Sequence, residues 1–303
     1  MFKKETIHRR TFTPLAIAAA ILTIIAPSII AGAAAKPTVA VGLPPLQWVV
    51  EGIMGSDVTV IVLVKPGQSP HTFEPSARQV AALSKAHTFL FIGTEIERQA
   101  AKRATTQNRL LTIHDVGNLT SDSHHDHPHT TTHCHHGLDP HIWLAPSEMA
   151  QIARRCATAL HTTFPDKTAI INNGLAQTLA RIAALDTQIK TLLDPLAGTS
   201  FLVYHPSWGH FATAYGLTQL ALEADGKAPT AKHLATIAAQ VKTHAIKTLF
   251  SNPDAPTAVV RRAAASMGCN VAIIDPLAPS WDTNLLQVAR LIAASATPST
   301  EEK

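Results

Sequence analysis

Short apolar runs alternate with amphipathic segments along most of the chain. In the first half, runs rich in β-branched residues, which are typical of strands, occupy residues 38–43, 58–64, 88–92 and 110–113. Helical patterns lie between them at residues 47–54, 76–86 and 95–103. Strands that alternate with helices predict a parallel sheet with helices on both faces.

The same alternation returns in the second half of the chain. Strand patterns occur at residues 200–204, 248–250 and 271–274. Helical patterns occur at residues 230–244, 255–267 and 283–294. We therefore predict an α/β fold made of two parallel-sheet lobes.

Residues 166–193 separate these two regions and predict one long helix. Apolar side chains recur there every three or four residues, the spacing of one helix face, at Ile171, Leu175, Leu179, Ile182, Leu185, Ile189 and Leu192. At about 1.5 Å per residue the helix would be about 42 Å long. The alternative is two helices with a break at residues 172–174. We expect a first lobe at 36–164, the linking helix at 165–195 and a second lobe at 196–303.

The first 35 residues have the pattern of a secretory signal peptide. A basic stretch precedes an apolar run at residues 15–30, and small residues follow at 31–35. An N-terminal membrane anchor is the alternative, but the run is short of the ~20 residues that a spanning helix needs. The pair Arg9 and Arg10 leaves twin-arginine export open. We expect cleavage, a periplasmic location and no stable membrane insertion afterwards.

Net charge gives no indication of a nucleic-acid partner. The formal net charge of the whole chain is +4. Residues 1–35 carry four basic residues and one acidic residue, so their removal lowers it to +1. The three cysteines, Cys134, Cys156 and Cys269, are too few for a disulfide scaffold, although one bridge remains open.

A low-complexity segment at residues 121–137 is rich in histidine. It contains almost no apolar residue, so we expect it to stay outside the core. It is either a tolerated insertion or an auxiliary, low-affinity metal collector. Its candidate ligands are His124, His125, His127, His129, His133, His135 and His136.

Three other histidines lie in separate proline-containing motifs. His71 lies in residues 66–76 (PGQSPHTFEPS), His141 in residues 139–144 (DPHIWL) and His205 in residues 204–211 (YHPSWGHF). Open α/β sheets bind ligands outside the carboxyl ends of their strands, and two of these motifs follow predicted strands. Three neutral imidazoles suit zinc and leave one coordination position. A single histidine is more often structural, so the motifs alone leave that alternative open.

Taken together, these motifs resemble one known family. Residues 70–76, 139–144, 204–206 and 274–277 (IDPL) match, in order and spacing, the zinc/manganese solute-binding proteins of bacterial ABC transporters. The similarity runs from about residue 38 to about residue 294. It implies a monomeric periplasmic receptor, not an enzyme, with its metal site in the cleft between two lobes joined by a long helix. It also implies a membrane permease as partner.

The resemblance also implies which residues hold the metal. His71, His141 and His205 match the family's metal-binding histidines. Asp275 matches a carboxylate that binds metal in manganese members and can approach the metal in others. Manganese members commonly have glutamate at the position of His205, so its imidazole favours Zn²⁺ over Mn²⁺. Pro70 stands where some zinc members carry an acidic residue, which leaves Asp275 or water as fourth ligand.

One departure from the family pattern and three rival functions remain open. His210 replaces a more usual aromatic residue; it could contact a ligand or be a spare ligand, but an ordinary helix residue is our preferred interpretation. A manganese or iron receptor is the first alternative function. A zinc hydrolase is the second, but the chain has no His-Glu-x-x-His helix. A metal-dependent adhesin is the third, and no lipid-anchor cysteine supports it.

Overall fold

The computed structural model describes Met1 and residues 36–119, 139–223 and 230–296. The rest of the predicted signal peptide and the histidine-rich segment at 121–137 lie outside the described residues. Within the ranges described, no helix combines the length and apolarity needed to cross a bilayer.

The first lobe is built on a four-stranded parallel sheet in the order β2-β1-β3-β4. Its strands are β1 (Thr38–Val41), β2 (Thr59–Val62), β3 (Thr88–Phe91) and β4 (Thr112–Asp115). Its helices are α1 (Pro44–Met54), α2 (Ala77–Leu83) and α3 (Glu95–Gln107). The central strands β1 and β3 are buried along nearly their whole length, because a parallel sheet covered on both faces needs continuous apolar runs.

The second lobe repeats this arrangement in the order β6-β5-β7-β8. Its strands are β5 (Ser200–Val203), β6 (Thr218–Ala221), β7 (Thr248–Ser251) and β8 (Asn270–Ile273). Its helices are α6 (Gly209–Ala214), α7 (Ala231–Thr243), α8 (Thr257–Ser266) and α9 (Trp281–Ser295). The predicted fold of two parallel-sheet α/β lobes is confirmed, although β6 and α6 were not among the predicted elements.

Two long helices connect the sheets: α4 (Pro146–Thr163) and α5 (Thr168–Leu193). The 26-residue α5 is continuous through residues 172–174. A Cβ atom at Gly174 would lie 2.0 Å from the carbonyl oxygen of Ile53. The glycine therefore permits a close approach between α5 and α1 instead of a break, and the predicted alternative of two helices is wrong.

The main hydrophobic core is shared by both lobes. Side chains from the first sheet, α1, α4 and α5 pack in one cluster with Phe201, Phe211 and Trp281 of the second lobe. A smaller cluster around Leu202 and Leu249 belongs to the second lobe alone. Continuous burial across the lobes stabilises their relative position, since separating them would expose apolar surface.

A carboxylate occupies the point where the strand order of the first sheet reverses, between β1 and β3. Glu97 is 1% exposed, and burial raises its pKa. Its oxygens accept hydrogen bonds from the backbone N–H groups of Ile92, Gly93 and Thr94, at 3.2, 3.1 and 2.9 Å. A Cβ atom at Gly42 would collide with this carboxylate. Ligands commonly bind at such reversal points, and here a side chain of the chain itself fills the position.

Candidate metal site

Loops from both lobes bring His71, His141 and His205 together. His71 follows β2, His141 immediately precedes the short 3₁₀ turn before α4, and His205 follows β5. The Nε2 atom of His71 lies 3.4 Å from that of His141 and 3.2 Å from that of His205. One ring nitrogen from each histidine lies within 4.8 Å of the others, and this is the group of potential metal ligands found among the described residues.

The spacing of these nitrogens fits a tetrahedral metal. Zinc–nitrogen bonds of 2.0–2.1 Å at tetrahedral angles put the ligand nitrogens about 3.3 Å apart. The two measured separations, 3.2 and 3.4 Å, lie on either side of this value. Two of the three nitrogen pairs therefore already have the separation that a shared tetrahedral ion requires, and the third pair lies within 4.8 Å.

His141 is the most deeply buried of the three, with 4% exposure. Its Nδ1 atom lies 2.6 Å from a carboxylate oxygen of Asp139, and its backbone N–H donates to the same oxygen at 3.0 Å. An Nδ1–H that donates to Asp139 leaves the Nε2 lone pair directed at the centre of the site. Burial lowers the pKa of His141, which also favours the neutral ring that a metal needs.

His210 contacts Asp139, the residue whose side chain orients His141. It lies on α6, and its Nε2 atom is 3.0 Å from the carbonyl oxygen of Asp139. Our preferred interpretation, an ordinary helix residue, is therefore incomplete, because the ring contacts the residue that orients His141.

His205 is also oriented by a carboxylate. Its Nδ1 atom lies 2.8 Å from Oε2 of Glu223, which follows β6. Sequence reasoning missed Glu223, because β6 itself was not predicted and the residue lies 18 positions from its partner. Only an acidic residue just beyond an apolar alternation, here TQLAL at 218–222, could have indicated it.

His71 differs from the other two because it lies in a loop and the residue as a whole is exposed, although its ring lines the cavity. Its backbone N–H donates to Oγ of Ser69 at 3.3 Å. Desolvation in the cleft, together with the neighbouring rings of His141 and His205, lowers its pKa to about 4. The ring is therefore neutral at physiological pH, as metal binding requires.

Asp275 lines the same cavity but is not part of the three-histidine group. It follows β8, and its Oδ1 atom accepts a hydrogen bond from the backbone N–H of Leu277 at 2.8 Å. Burial raises its pKa. Its role as a metal ligand stays a prediction.

The histidines open onto a cavity of about 210 Å³ lined by both lobes. Residues 67–72 border it on one side, and Tyr204, Asn252, Asp254 and Asp275 border it on the other. The cavity is large enough for water or a small ligand beside an ion. The seven candidate auxiliary histidines at 124–136 lie outside the described residues.

Comparison with known proteins points to one family. The family described as "Zinc-uptake complex component A periplasmic" matches residues 39–293. "High-affinity zinc uptake system protein ZnuA" of Yersinia pestis is 26% identical over 298 residues, covering 89% of this chain and 91% of that protein. "Zinc-binding protein AdcA" of Streptococcus pyogenes serotype M3 is 27% identical over 251 residues, covering 77% of this chain. The chain spans about half the length (49%) of that relative.

Solved structures share the fold. A crystal structure of ZnuA is 31% identical with a TM-score of 0.78, covering 86% of this chain and all of that one. A zinc-bound ZnuA deletion mutant is 32% identical with the same TM-score, covering 86% of this chain and 99% of that one. The periplasmic zinc-binding protein TroA from Treponema pallidum, at 18% identity and a TM-score of 0.74, covers 86% of this chain and all of that one, and supports the fold alone.

Proposed function

Because the chain belongs to the family of periplasmic zinc-uptake component A proteins, we propose that it is a receptor that binds Zn²⁺ and delivers it to the membrane permease of an ABC importer. The relatives' names describe zinc binding and high-affinity zinc uptake. Their similarity supports the same cargo for this chain.

The observation that carries this proposal is the convergence of three histidine ring nitrogens within 4.8 Å, with the Nε2 atom of His71 at tetrahedral spacing from the other two. His71, His141 and His205 would each supply one nitrogen. Asp275 or water would complete the coordination. Zinc is borderline-soft and suits imidazole nitrogen, whereas manganese suits carboxylate oxygen, so three histidines favour Zn²⁺ as cargo.

The chemistry of the site suits capture rather than catalysis. A zinc hydrolase needs a free general base beside the metal. The two carboxylates nearest the histidines, Asp139 and Glu223, are engaged by ring nitrogens. Both carboxylates orient histidine rings, so neither is a free general base.

The description of the matched family places its members in the periplasm. We propose that residues 1–35 direct export to the periplasm and that the mature receptor is a monomer. We also propose that the histidine-rich segment at 121–137 collects zinc weakly near the cleft.

Metal analysis of protein purified without chelator tests this function. We expect one tightly bound zinc per chain, and calorimetric titration should show tighter binding of zinc than of manganese. Alanine at His71, His141 or His205 should each weaken binding far more than alanine at His244, an exposed control in the second lobe. Zinc binding that survives all three substitutions would contradict the proposed site.

A further inference from the structure

Glu223 is held next to His205 by the backbone of the second sheet. Strands β5 and β6 pair in parallel, with Val203 opposite Ala221. Backbone hydrogen bonds continue past the end of β6: the N–H of Glu223 donates to the carbonyl of Tyr204 at 2.9 Å. The residue adjacent to His205 therefore fixes the backbone of Glu223, and a strand end places a side chain more reproducibly than a loop does.

The carboxylate completes this arrangement. Its Oε2 atom accepts a hydrogen bond from Nδ1–H of His205 at 2.8 Å, and both side chains are largely buried, at 18% and 13% exposure. The hydrogen bond fixes the tautomer in which Nε2 carries a lone pair and limits rotation of the ring. A carboxylate partner also makes the imidazole a stronger donor.

We infer that Glu223 is a positioning residue that sets the zinc affinity of the site through His205. This inference rests on the proposed function. In the inferred arrangement Glu223 does not contact the metal. Its carboxylate orients His205 and compensates part of the charge of a divalent ion held by three neutral imidazole rings. Loss of such a partner typically costs 10–100-fold in metal affinity.

Three variants distinguish the effect of the Glu223–His205 hydrogen bond on zinc affinity from the effect of a negative charge in the cavity. Glu223→Ala removes both the acceptor and the charge, and we expect a 10–100-fold weaker zinc affinity by competition with a chromophoric chelator. Glu223→Gln keeps an acceptor oxygen and should recover part of that loss. Asp254→Asn removes a negative charge from the same cavity at an exposed residue that is bonded to Asn252 and not to a histidine, so it measures the effect of cavity charge without loss of a ring partner, and we expect a smaller loss than in Glu223→Ala.

Nitrogen-15 NMR of the histidine rings reports which ring nitrogen carries the proton. A general loss of stability would not change this tautomer at His205 alone. In the metal-free wild type, His205 should carry its proton on Nδ1. In Glu223→Ala, a population protonated on Nε2 should appear, while His141 should keep its tautomer because Asp139 is intact.

The outcomes are distinct. A wild type that fails to bind zinc would refute the proposed function, whatever the variants do. A wild type that binds zinc, with Glu223→Ala folded and equal in affinity and tautomer, would overturn the role of Glu223 alone. Equal losses in Glu223→Gln, Glu223→Ala and Asp254→Asn would also overturn it, because charge alone would then explain the effect.

Discussion

The indole N–H of Trp281 donates a hydrogen bond to the carbonyl oxygen of Trp143 at 2.8 Å. Trp143 lies two residues after His141, whereas Trp281 begins α9 of the second lobe. The indole of Trp143 donates in turn to the carbonyl of Pro276, next to Asp275, at 2.7 Å. The two indole hydrogen bonds thus join the segments that carry His141 and Asp275 across the lobes.

Replacing Trp281 with phenylalanine should therefore destabilise the protein. The ring is retained in part, but the buried carbonyl of Trp143 loses its donor, which costs about 1–3 kcal/mol. Urea unfolding of the metal-free protein measures this cost as a lower midpoint with little change in slope. An unchanged midpoint would mean that this hydrogen bond does not stabilise the lobe interface.

Glu97 should be more important for stability than any exposed acidic residue of α3. Glu97→Ala leaves the backbone donors of residues 92–94 without their acceptor, and we expect a loss of about 3 kcal/mol or more in the free energy of unfolding. Glu95→Ala, two positions away on the exposed face, is the matched control and should change stability by less than about 0.5 kcal/mol. Similar effects of the two substitutions would contradict the assigned role of Glu97.

Acidification should destabilise the metal-free protein partly through His71. Its pKa is lowered to about 4 in the folded state, while the ring in the unfolded chain titrates near 6.5. Between these values the unfolded state binds more protons, so the free energy of unfolding falls as the pH decreases from about 6.5 to about 4. The buried ring of His141 acts in the same direction.

The comparison of wild type with His71→Asn isolates this contribution. Both proteins are unfolded in urea with chelator at pH 7, 6 and 5. We expect the variant to lose less stability than the wild type over this range. An equal loss in the two proteins would show that the folded ring titrates like a free imidazole.

The preference for zinc over manganese should depend on His205 and Glu223 together. His205→Glu provides the oxygen ligand that manganese favours, but it also places a second carboxylate beside Glu223. Like charges at this distance disfavour ionisation of both groups. We therefore expect the double variant His205→Glu/Glu223→Gln to shift the ratio of manganese to zinc affinity more than His205→Glu alone. Competition titrations with both metals measure the ratio, and an unchanged ratio in both variants would exclude His205 as a ligand.

The tight site should not depend on the histidine-rich segment. The loops that carry His71, His141 and His205 are positioned by β2, α4 and β5. Replacing residues 121–136 with a Gly/Ser sequence of equal length should leave the tight zinc affinity within about threefold, while the number of weakly bound ions falls. Disappearance of the tight site would show that the three-histidine assignment is wrong.

The parts of the fold that follow from sequence are those with strong local patterns. The apolar spacing from Ile171 to Leu192 predicted α5 because one buried face is visible in a single helix. Strand β6 was missed because its four residues contain only a short alternation. Helix α4 was also absent from the predicted elements, although it packs along α5. The boundaries at 164/165 and 195/196 stay predictions.

In the candidate site, residues within sequence motifs could be predicted, whereas residues that act through contacts between distant elements could not. His71, His141 and His205 lie in recognisable motifs, so they could be proposed before any distance was known. Glu223 and His210 acquire their roles from contacts between elements, at Nδ1 of His205 and at the carbonyl of Asp139. Gly174 was considered a helix break because sequence alone does not reveal the neighbouring backbone of α1.

The continuous α5 has a consequence for the rate of zinc exchange. The guanidinium carbon (Cζ) of Arg181 on this helix lies 4.7 Å from the ring centre of Trp48 on α1. Its Nη2 atom donates a hydrogen bond to Oδ2 of Asp282 on α9 at 2.6 Å. Rotation of one lobe away from the other would disrupt these contacts and the shared core. The residence time of the ion should therefore depend on breaking metal–nitrogen bonds and on loop motion around His71. A permease that displaced this loop would shorten the residence time without opening the lobes.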